Sequence, residues 1–330
     1  MGAPINLQQI DAVCAVARQL SISSAADSLN MSQSGLSRQL KELELELGVQ
    51  VFLRTRNKVV GLTPQGVQAL RIMQRVACDI KALQQIGSET STDTVGEIRI
   101  ATTHVYARHI LPKVIKAFGD RFPAVALALQ QSDPVRCCES ISRGDAEIGI
   151  VTLPDKLAES VVAVPAYQLP RCVIAPRGHP LTDGKKLTLA RLAKYPIITY
   201  PAPFSGRTIV MERFAAAGLA PRIVCSATDA DVSKAYVELG MGVAILAKAA
   251  VDKVRDRGLV MIEAGHLFPP GVLNLVFRKN GFLTRAVQSF VSILAPHIKP
   301  AALLRAVESG HMDRAAWAQA APVYEAGTAK

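Results

Sequence analysis

The first part of the chain carries apolar side chains at the spacing of an α-helix. Residues 23–30 and 33–44 each form one apolar stripe, and residues 31–32 separate them. The leucines of the two stripes are Leu29, Leu36, Leu40 and Leu43. Ala25 and Ala26 are small enough to let the two helices approach closely. The pattern predicts a helix-turn-helix.

Two short apolar runs with a basic tip follow this pair of helices. Residues 47–62 begin with a Leu-Gly pair in which Gly48 can end the second helix, and the rest of the run predicts a β-hairpin. Thr63 and Pro64 then have the residue types that begin a helix, as its cap and its first residue. We therefore expect residues 1–63 to form an all-α winged helix-turn-helix domain, in which the hairpin is the wing.

Short polar side chains and basic side chains lie where such a domain meets duplex DNA. A recognition helix presents hydrogen-bonding groups to base edges, and a basic wing approaches phosphates. The candidate DNA-binding residues are Ser23, Ser32, Gln33, Ser34, Ser37, Arg38, Lys41, Arg54, Arg56 and Lys58. The alternative is a merely solvated basic face. The combination of cap, turn, wing and basic tip favours DNA binding.

A long helix with one apolar stripe is predicted over residues 65–86. The stripe consists of Val67, Leu70, Met73, Val76, Ile80 and Leu83. This spacing fits a partner helix in a coiled-coil-like pair, and the alternative is a helix packed on its own domain. Residues 87–94 have no apolar period and predict a hinge. Residues 64–95 are therefore expected to be a linker and dimerisation segment.

After the hinge, short β-rich runs alternate with helical segments. Such alternation predicts an α/β domain built from βαβ units around mostly parallel sheets. A late strand over residues 272–278 is predicted to return to the first subdomain, so we expect an effector domain at 96–300 with two subdomains. Residues 96–162 and 268–300 form the first subdomain, residues 163–267 form the second, and residues 301–330 are a C-terminal extension.

Charge and hydropathy narrow the class of protein. The chain has 330 residues, enough for two or three domains. Its net charge of +11 and pI near 9.5 favour a polyanionic partner, which charge alone does not distinguish from a membrane surface. There is no apolar run of about eighteen residues, and the first residues lack the basic and apolar regions of a signal peptide. We expect a cytoplasmic protein with no membrane partner.

No residue pattern indicates catalysis or a metal site. The six cysteines include no Cys-x-x-Cys pair, which predicts reduced and mostly buried thiols. His104 and His109 lie near each other, but no carboxylate or cysteine stands close to them in the sequence. Residues 240–242 lack the third glycine of a dinucleotide motif and follow a helix. We therefore predict that the protein is not an enzyme and holds no metal.

Three stretches meet the conditions for a ligand site in an α/β domain. Such sites form beyond the carboxyl ends of strands, where helix N-termini present free amides. The candidate effector-binding residues are Thr102, Thr103, His104, Tyr106, Thr152, Ser205 and Gly206. Their hydroxyls and amides predict a small anion in preference to a large apolar molecule.

Several motifs of the first domain resemble the winged helix-turn-helix of LysR-type transcriptional regulators. They are Ala-Ala at 25–26, Ser-Gln-Ser at 32–34, Leu-Gly at 47–48, Phe-Leu-Arg at 52–54 and Leu-Thr-Pro-Gln-Gly at 62–66. Motifs at 100–104, 204–207, 227–232 and 239–243 further resemble the CysB and Cbl-like subgroup, which controls sulfur metabolism. The resemblance implies an effector domain similar to periplasmic binding proteins. It also implies promoter DNA, a homodimer or homotetramer, and RNA polymerase as partners.

The same resemblance implies the class of effector. In the subgroup a sulfate-like anion is bound by hydroxylic residues, of which Thr103 and Thr152 match, while Ser205 replaces a Thr. Val105, Tyr106 and Leu169 stand where Thr, Gln and Trp are usual. The expected effector is a sulfate-like anion, an adenylylated sulfate, a sulfonate or acetylserine, with no other cofactor. The first alternative is a regulator of another catabolic pathway with a carboxylate or aromatic effector, and the second is a solute-binding or enzymatic α/β protein.

Overall fold

The structure is a computed structural model that describes residues 5–56, 58–88, 96–202, 204–252 and 254–325. The chain divides into two compact units, residues 1–90 and 91–330. The first contains the predicted helix-turn-helix, and the second contains two α/β subdomains. In the described part of the chain, no helix combines the length and the apolar character needed to cross a membrane.

The N-terminal unit is a helix-turn-helix followed by a hairpin and a long helix. Its elements are α1 (Leu7–Gln19), α2 (Ile22–Ser28), α3 (Gln33–Leu47), β1 (Phe52–Thr55), β2 (Lys58–Leu62) and α4 (Pro64–Ser88). The Ser32 hydroxyl accepts a hydrogen bond from the Gly35 amide (3.1 Å) and caps α3, which ends at Gly48 with a φ of 68°. The Thr63 hydroxyl accepts from the Gly66 amide (2.8 Å) at the start of α4, as predicted.

Helix α4 changes its environment along its length. Met73 is buried in the core of the N-terminal unit, with Leu70 and Val76 packed against it. Leu83, further along the same predicted stripe, is 67% exposed. The middle of the stripe, from Leu70 to Val76, therefore packs on its own unit, while Val67 is exposed. Of the predicted hinge at 87–94, residues 87 and 88 still belong to α4, and the others lie outside the described residues.

The second unit contains the alternating strands and helices that the sequence predicts. In chain order they are β3 (Gly96–Thr102), α5 (His104–His109), α6 (Leu111–Arg121), β4 (Val125–Gln131), α7 (Pro134–Arg143), β5 (Ile148–Val151), β6 (Val161–Leu169), β7 (Arg171–Pro176), α8 (Leu189–Leu192), β8 (Ile197–Thr199), α9 (Ser205–Ala216), β9 (Ile223–Ser226), α10 (Ala230–Glu238), β10 (Val243–Ala247), β11 (Leu259–Glu263), β12 (Gly271–Arg278), α11 (Arg285–Leu294), α12 (Pro300–Ser309) and α13 (Arg314–Ala320).

These strands form two five-stranded sheets, in each of which four strands run in the same direction and one runs opposite. The sheets are therefore mixed but mostly parallel, as predicted. The first sheet has the order β4-β3-β5-β12-β6 and the second has the order β11-β7-β10-β8-β9. In the first, β3 pairs in parallel with β4 and β5, while β12 is antiparallel to β5 and β6. In the second, β7 is antiparallel to β10 and β11. Strand β7 follows the first crossing of the chain between the subdomains, and β12 follows the second.

The predicted boundary between the subdomains is wrong by one strand. Strand β6 pairs along β12 in the first sheet, so the chain crosses to the second sheet only at Pro170. The predicted C-terminal extension also belongs to the first subdomain. The buried side chains of Leu303 and Val307 in α12 join its core, and the Gln168 amide of β6 donates to the Pro322 carbonyl at 2.9 Å.

Candidate functional site

The predicted DNA-binding residues of the helix-turn-helix lie on its surface. Side chains are exposed at six of these positions: Ser23, Ser32, Gln33, Ser34, Arg38 and Lys41. Ser37 is partly buried beside them. Arg38 forms an exposed ion pair with Glu42 one turn along α3 (2.7 Å). This pairing is weak enough in solvent to be exchanged for a phosphate contact.

The three basic residues of the wing occupy different environments. Arg56 and Lys58 are exposed at the hairpin tip. Arg54 is 26% exposed, and its guanidinium donates to the carboxylate of Glu44 in α3 at 2.9 Å. The other Glu44 oxygen accepts from the amides of Val51 and Phe52, at 2.9 and 3.1 Å. Arg54 therefore helps to hold the wing on α3, and the free charges of the tip are Arg56 and Lys58.

A cavity opens between the two subdomains of the C-terminal unit. It encloses about 620 Å³ of space, part of which is open solvent. Its lining comes from both sheets and consists of Thr103, Val105, Tyr106, Pro134, Thr152, Leu169, Arg171, Tyr200, Phe204, Gly206, Thr228, Ala247 and Gly271. Most of this surface is apolar or aromatic. The prediction of a site made chiefly of hydroxyls and amides therefore describes only part of the cavity wall.

Among the described residues that line the cavity, Arg171 is the one that carries a charge. It begins β7, is only 5% exposed, and donates from Nε to the Pro269 carbonyl at 3.1 Å. No carboxylate among the described residues forms an ion pair with it. Burial lowers the pKa of the guanidinium, although arginine stays protonated in proteins. A Cβ added to Gly206 or Gly271 would lie 3.5 or 3.6 Å from its terminal nitrogens, so these two glycines leave the guanidinium uncovered.

Two phenols and two threonine hydroxyls stand near this charge. Burial raises the pKa of Tyr106 to about 12 and also raises the pKa of Tyr200, so both phenols remain neutral and can donate. The Tyr106 hydroxyl makes a short hydrogen bond with the Thr152 hydroxyl. Thr103, at the N-terminus of α5, is 7% exposed, and its hydroxyl has no hydrogen-bond partner among the described residues. The cavity thus presents one cation and several neutral donors.

The structure brings most of the predicted effector-binding residues together, with two exceptions. Thr103, Tyr106, Thr152 and Gly206 line the cavity, and Ser205 begins α9 beside it, although its side chain lies outside the described residues. The Thr102 hydroxyl is fully buried and donates to the Ile150 carbonyl at 2.8 Å. His104 points to Asp229 at 2.9 Å. Neither Thr102 nor His104 lines the cavity.

A network of ionisable side chains joins α5 of the first subdomain to the start of α10 in the second. We call it the cross-cleft network, and its members are His104, Arg108, His109, Asp229, Asp231 and Lys234. Nδ1 of His104 lies 2.9 Å from Asp229, and Arg108 forms an ion pair with Asp231. Two carboxylates therefore stand beside the histidines, although neither is near them in the sequence.

The geometry of this network also bears on metal binding. One ligand atom each from His104, Asp229 and Asp231 lies within 4.8 Å of the other two, which is close enough to surround a metal ion. However, Asp231 already has two cationic partners, Arg108 and Lys234, the latter at 2.9 Å. The arrangement therefore fits an ion-pair network better than a metal site, because a metal would add charge to an already compensated carboxylate.

Comparisons with known proteins agree with this architecture. Residues 7–67 match the model for the bacterial regulatory helix-turn-helix protein of the lysR family, and residues 91–299 match that for the LysR substrate binding domain. The transcriptional regulator SsuR of Burkholderia cenocepacia is 39% identical over 90% of this chain and 97% of its own. CysB of that bacterium is 38% identical over 88% of this chain and 94% of its own.

A solved structure shows the same likeness for the C-terminal unit. The cofactor-binding domain of the Cbl transcriptional regulator matches with a TM-score of 0.62 and 35% identity, over 65% of this chain and 94% of that domain. These relatives confirm the resemblance to CysB and Cbl. Regulators of this kind bind DNA, oligomerise and are not enzymes. The chain belongs to the LysR family of bacterial transcriptional regulators.

Proposed function

We propose that the protein is a cytoplasmic transcriptional regulator of sulfur assimilation or sulfur-source use, and that a small sulfur-containing anion bound in the inter-subdomain cavity controls it. The observation that carries the effector proposal is the buried Arg171 guanidinium, which has no carboxylate partner among the described residues. Leaving a buried charge without its partner costs about 3–5 kcal/mol. A bound anion supplies that partner, which gives the cavity a strong preference for negative charge.

The hydroxyls of the cavity support the same choice of ligand. A sulfur oxyanion offers several acceptor oxygens, and the Thr103, Thr152 and Tyr106 hydroxyls line one side of the cavity. Hydrogen bonds to a charged acceptor contribute about 1.5–3 kcal/mol each. The candidate anions are a sulfate-like ion, an adenylylated sulfate, a sulfonate and, with a carboxylate head, acetylserine.

DNA binding is assigned to the N-terminal unit. Helix α3 presents Gln33, Ser34 and Lys41 on its exposed side, and the wing tip carries Arg56 and Lys58. We propose that two chains pair through the part of α4 that carries the exposed Leu83 and place their recognition helices on half-sites of promoter DNA. The chains then assemble further into a homotetramer that acts on RNA polymerase. Effector binding changes the relative placement of the subdomains, provided that the effector prefers one placement over the other.

A second candidate function uses the same fold with another effector. Tyr200 and Phe204 stack in the cavity wall with ring centroids 5.4 Å apart, and Arg171 pairs as well with a carboxylate as with a sulfonate. These features favour an aromatic carboxylate if the protein controls a different catabolic pathway. The choice between the two functions therefore depends on which anionic group the cavity prefers.

Retention of DNA by the full-length protein tests the proposal. Sheared DNA from the source organism is first incubated with the protein, and the retained fragments are sequenced. Sulfur regulation predicts a few specific fragments upstream of genes for the uptake or oxidation of sulfur compounds, with retention that falls steeply as salt rises. Retained sites upstream of unrelated catabolic genes would support the second function, and uniform retention of all fragments would refute sequence-specific regulation.

A further inference from the structure

The cavity lining combines one charged group with apolar side chains, and the two kinds of surface fit different parts of one ligand. Arg171 and the Thr103 hydroxyl belong to its polar part. The remaining wall includes Val105, Leu169 and Ala247, which have only carbon atoms in their side chains. A bare inorganic anion satisfies Arg171 but leaves this apolar surface in contact with water.

Two apolar residues of the lining, Val105 and Leu169, stand close in sequence to its polar residues Thr103 and Arg171. Val105 follows Thr103 by two residues and packs against the hydrophobic cores of both subdomains. Leu169 is 2% exposed at the end of β6, just before the chain crosses to Arg171. Burying an apolar ligand surface against such side chains is favourable by roughly 25 cal/mol per Å². The apolar wall therefore favours binding of an anion that carries a hydrocarbon group.

The aromatic part of the wall adds a preference for a flat group. The rings of Tyr200 and Phe204 are stacked with an interplanar angle of 22°, and both residues line the cavity. Aromatic rings contact one another favourably in offset-stacked and edge-to-face arrangements. A Cβ added to Gly206 would lie 3.5 Å from both the Arg171 guanidinium and the Tyr200 ring. A ligand ring against the aromatic pair therefore keeps its anionic substituent within reach of Arg171.

We propose that the effector is an organic sulfur oxyanion with a hydrocarbon body, preferably an aryl sulfonate or an aryl sulfate ester, and that Arg171 binds its charged head. Val105, Leu169, Tyr200 and Phe204 determine specificity by contacting its body. This inference rests on the proposed function for the choice of sulfur and goes beyond it in the class of molecule. Inorganic sulfate and hydrophilic sulfur metabolites are then poor ligands of this chain.

Calorimetric titration of the full-length protein tests the ligand class. The ligands are inorganic sulfate, methanesulfonate, benzenesulfonate, phenyl sulfate and benzoate. We expect benzenesulfonate or phenyl sulfate to bind at least tenfold more tightly than sulfate and methanesulfonate, and the tighter of the two identifies the sulfonate or the ester as the source of the head group.

The other outcomes separate this inference from the proposed function. Sulfate binding as tightly as both aryl compounds overturns the inference and leaves sulfur regulation standing. Benzoate binding more tightly than both aryl sulfur compounds overturns the sulfur head group and supports the second candidate function. Absence of binding by all five ligands overturns the inference together with the proposed effector class.

Two variants assign the binding energy to the residues. Arg171→Gln should weaken benzenesulfonate binding at least thirtyfold, while Arg177→Gln should leave it unchanged. Arg177 is the matched control because it lies just beyond the same strand, also donates to a backbone carbonyl, and is exposed outside the cavity. Val105→Thr adds a hydroxyl to the apolar wall and should reduce the preference for benzenesulfonate over sulfate at least threefold. An unchanged preference in Val105→Thr, or unchanged binding in a folded Arg171→Gln protein, would overturn the assignment.

Discussion

The attachment of the wing to the recognition helix depends on one carboxylate, and its removal makes a quantitative test. Glu44 is 12% exposed and accepts hydrogen bonds from the amides of Val51 and Phe52 and from the Arg54 guanidinium. Val51 and Phe52 are themselves buried, so their amides have little access to water. In Glu44→Ala both amides and the guanidinium lose their acceptor.

The expected cost follows from the number of donors left without a partner. A buried donor without an acceptor costs about 1–3 kcal/mol. Two buried amides therefore give a loss of roughly 2–4 kcal/mol, after allowance for partial entry of water. In Glu44→Gln the amide oxygen can still accept from both backbone donors. That variant loses mainly the partly exposed ion pair with Arg54, and its cost should be at most about 1 kcal/mol.

Urea unfolding followed by circular dichroism measures this loss, and hydrogen exchange of the Val51 and Phe52 amides shows where it occurs. Emission from Trp317, the single tryptophan, reports the C-terminal unit and should not change. Glu42→Ala is the matched control, because the ion pair of Glu42 with Arg38 is exposed and its loss should cost less than about 0.5 kcal/mol. A Glu44→Ala protein as stable as Glu42→Ala, with unchanged exchange in the wing, would refute the reasoning.

Three further predictions concern the wing, the long helix and pH. Arg56→Ala and Lys58→Ala should each weaken binding to all DNA sequences and reduce the slope of log K against log salt by about 0.9, measured by fluorescence anisotropy; a loss of base preference alone would contradict phosphate contact. Met73→Ala should destabilise the N-terminal unit by about 2–5 kcal/mol, whereas Leu83→Lys should leave stability unchanged and shift sedimentation toward the monomer. Burial lowers the pKa of His109 below its ordinary value of 6.5, so the unfolded chain binds more protons below that pH; the thermal midpoint of the C-terminal unit should fall as pH drops below about 6.5, and less steeply in His109→Gln.

The N-terminal fold could be predicted from the sequence because its signals are local. Ser32 and Thr63 cap helices that begin within the next two residues, and Gly48 ends the helix that the leucine stripe identifies. Each of these choices depends on neighbours a few residues away. The environment of Arg54 could not be predicted in the same way, because its partner Glu44 lies on another element. The ion pair means that Arg54, which the sequence predicts to contact phosphate, stabilises the position of the wing.

The C-terminal unit was harder to predict because its deciding contacts are distant in sequence. Strand β6 is buried almost throughout, so it has no polar alternation that would assign it to one sheet, and only its pairing with β12 places it. Arg171 is positioned by its hydrogen bond to the carbonyl of Pro269, which is distant in sequence and lies where the second subdomain ends along the chain. A charged residue directly before the apolar run of β7 was the one signal in the sequence that could have identified it.

Helix α5 connects the cavity to the cross-cleft network, which gives a physical route from effector to subdomain placement. Thr103 at its start and Tyr106 within it line the cavity, while His104 and Arg108 on the same short helix contact Asp229 and Asp231 of the other subdomain. The proposed effector would contact the Thr103 and Tyr106 side of this short helix, so any shift of the helix would also change the lengths of the ion pairs on its other side. An effector can therefore favour one placement of the subdomains only if its contacts with α5 and with Arg171 are better satisfied there.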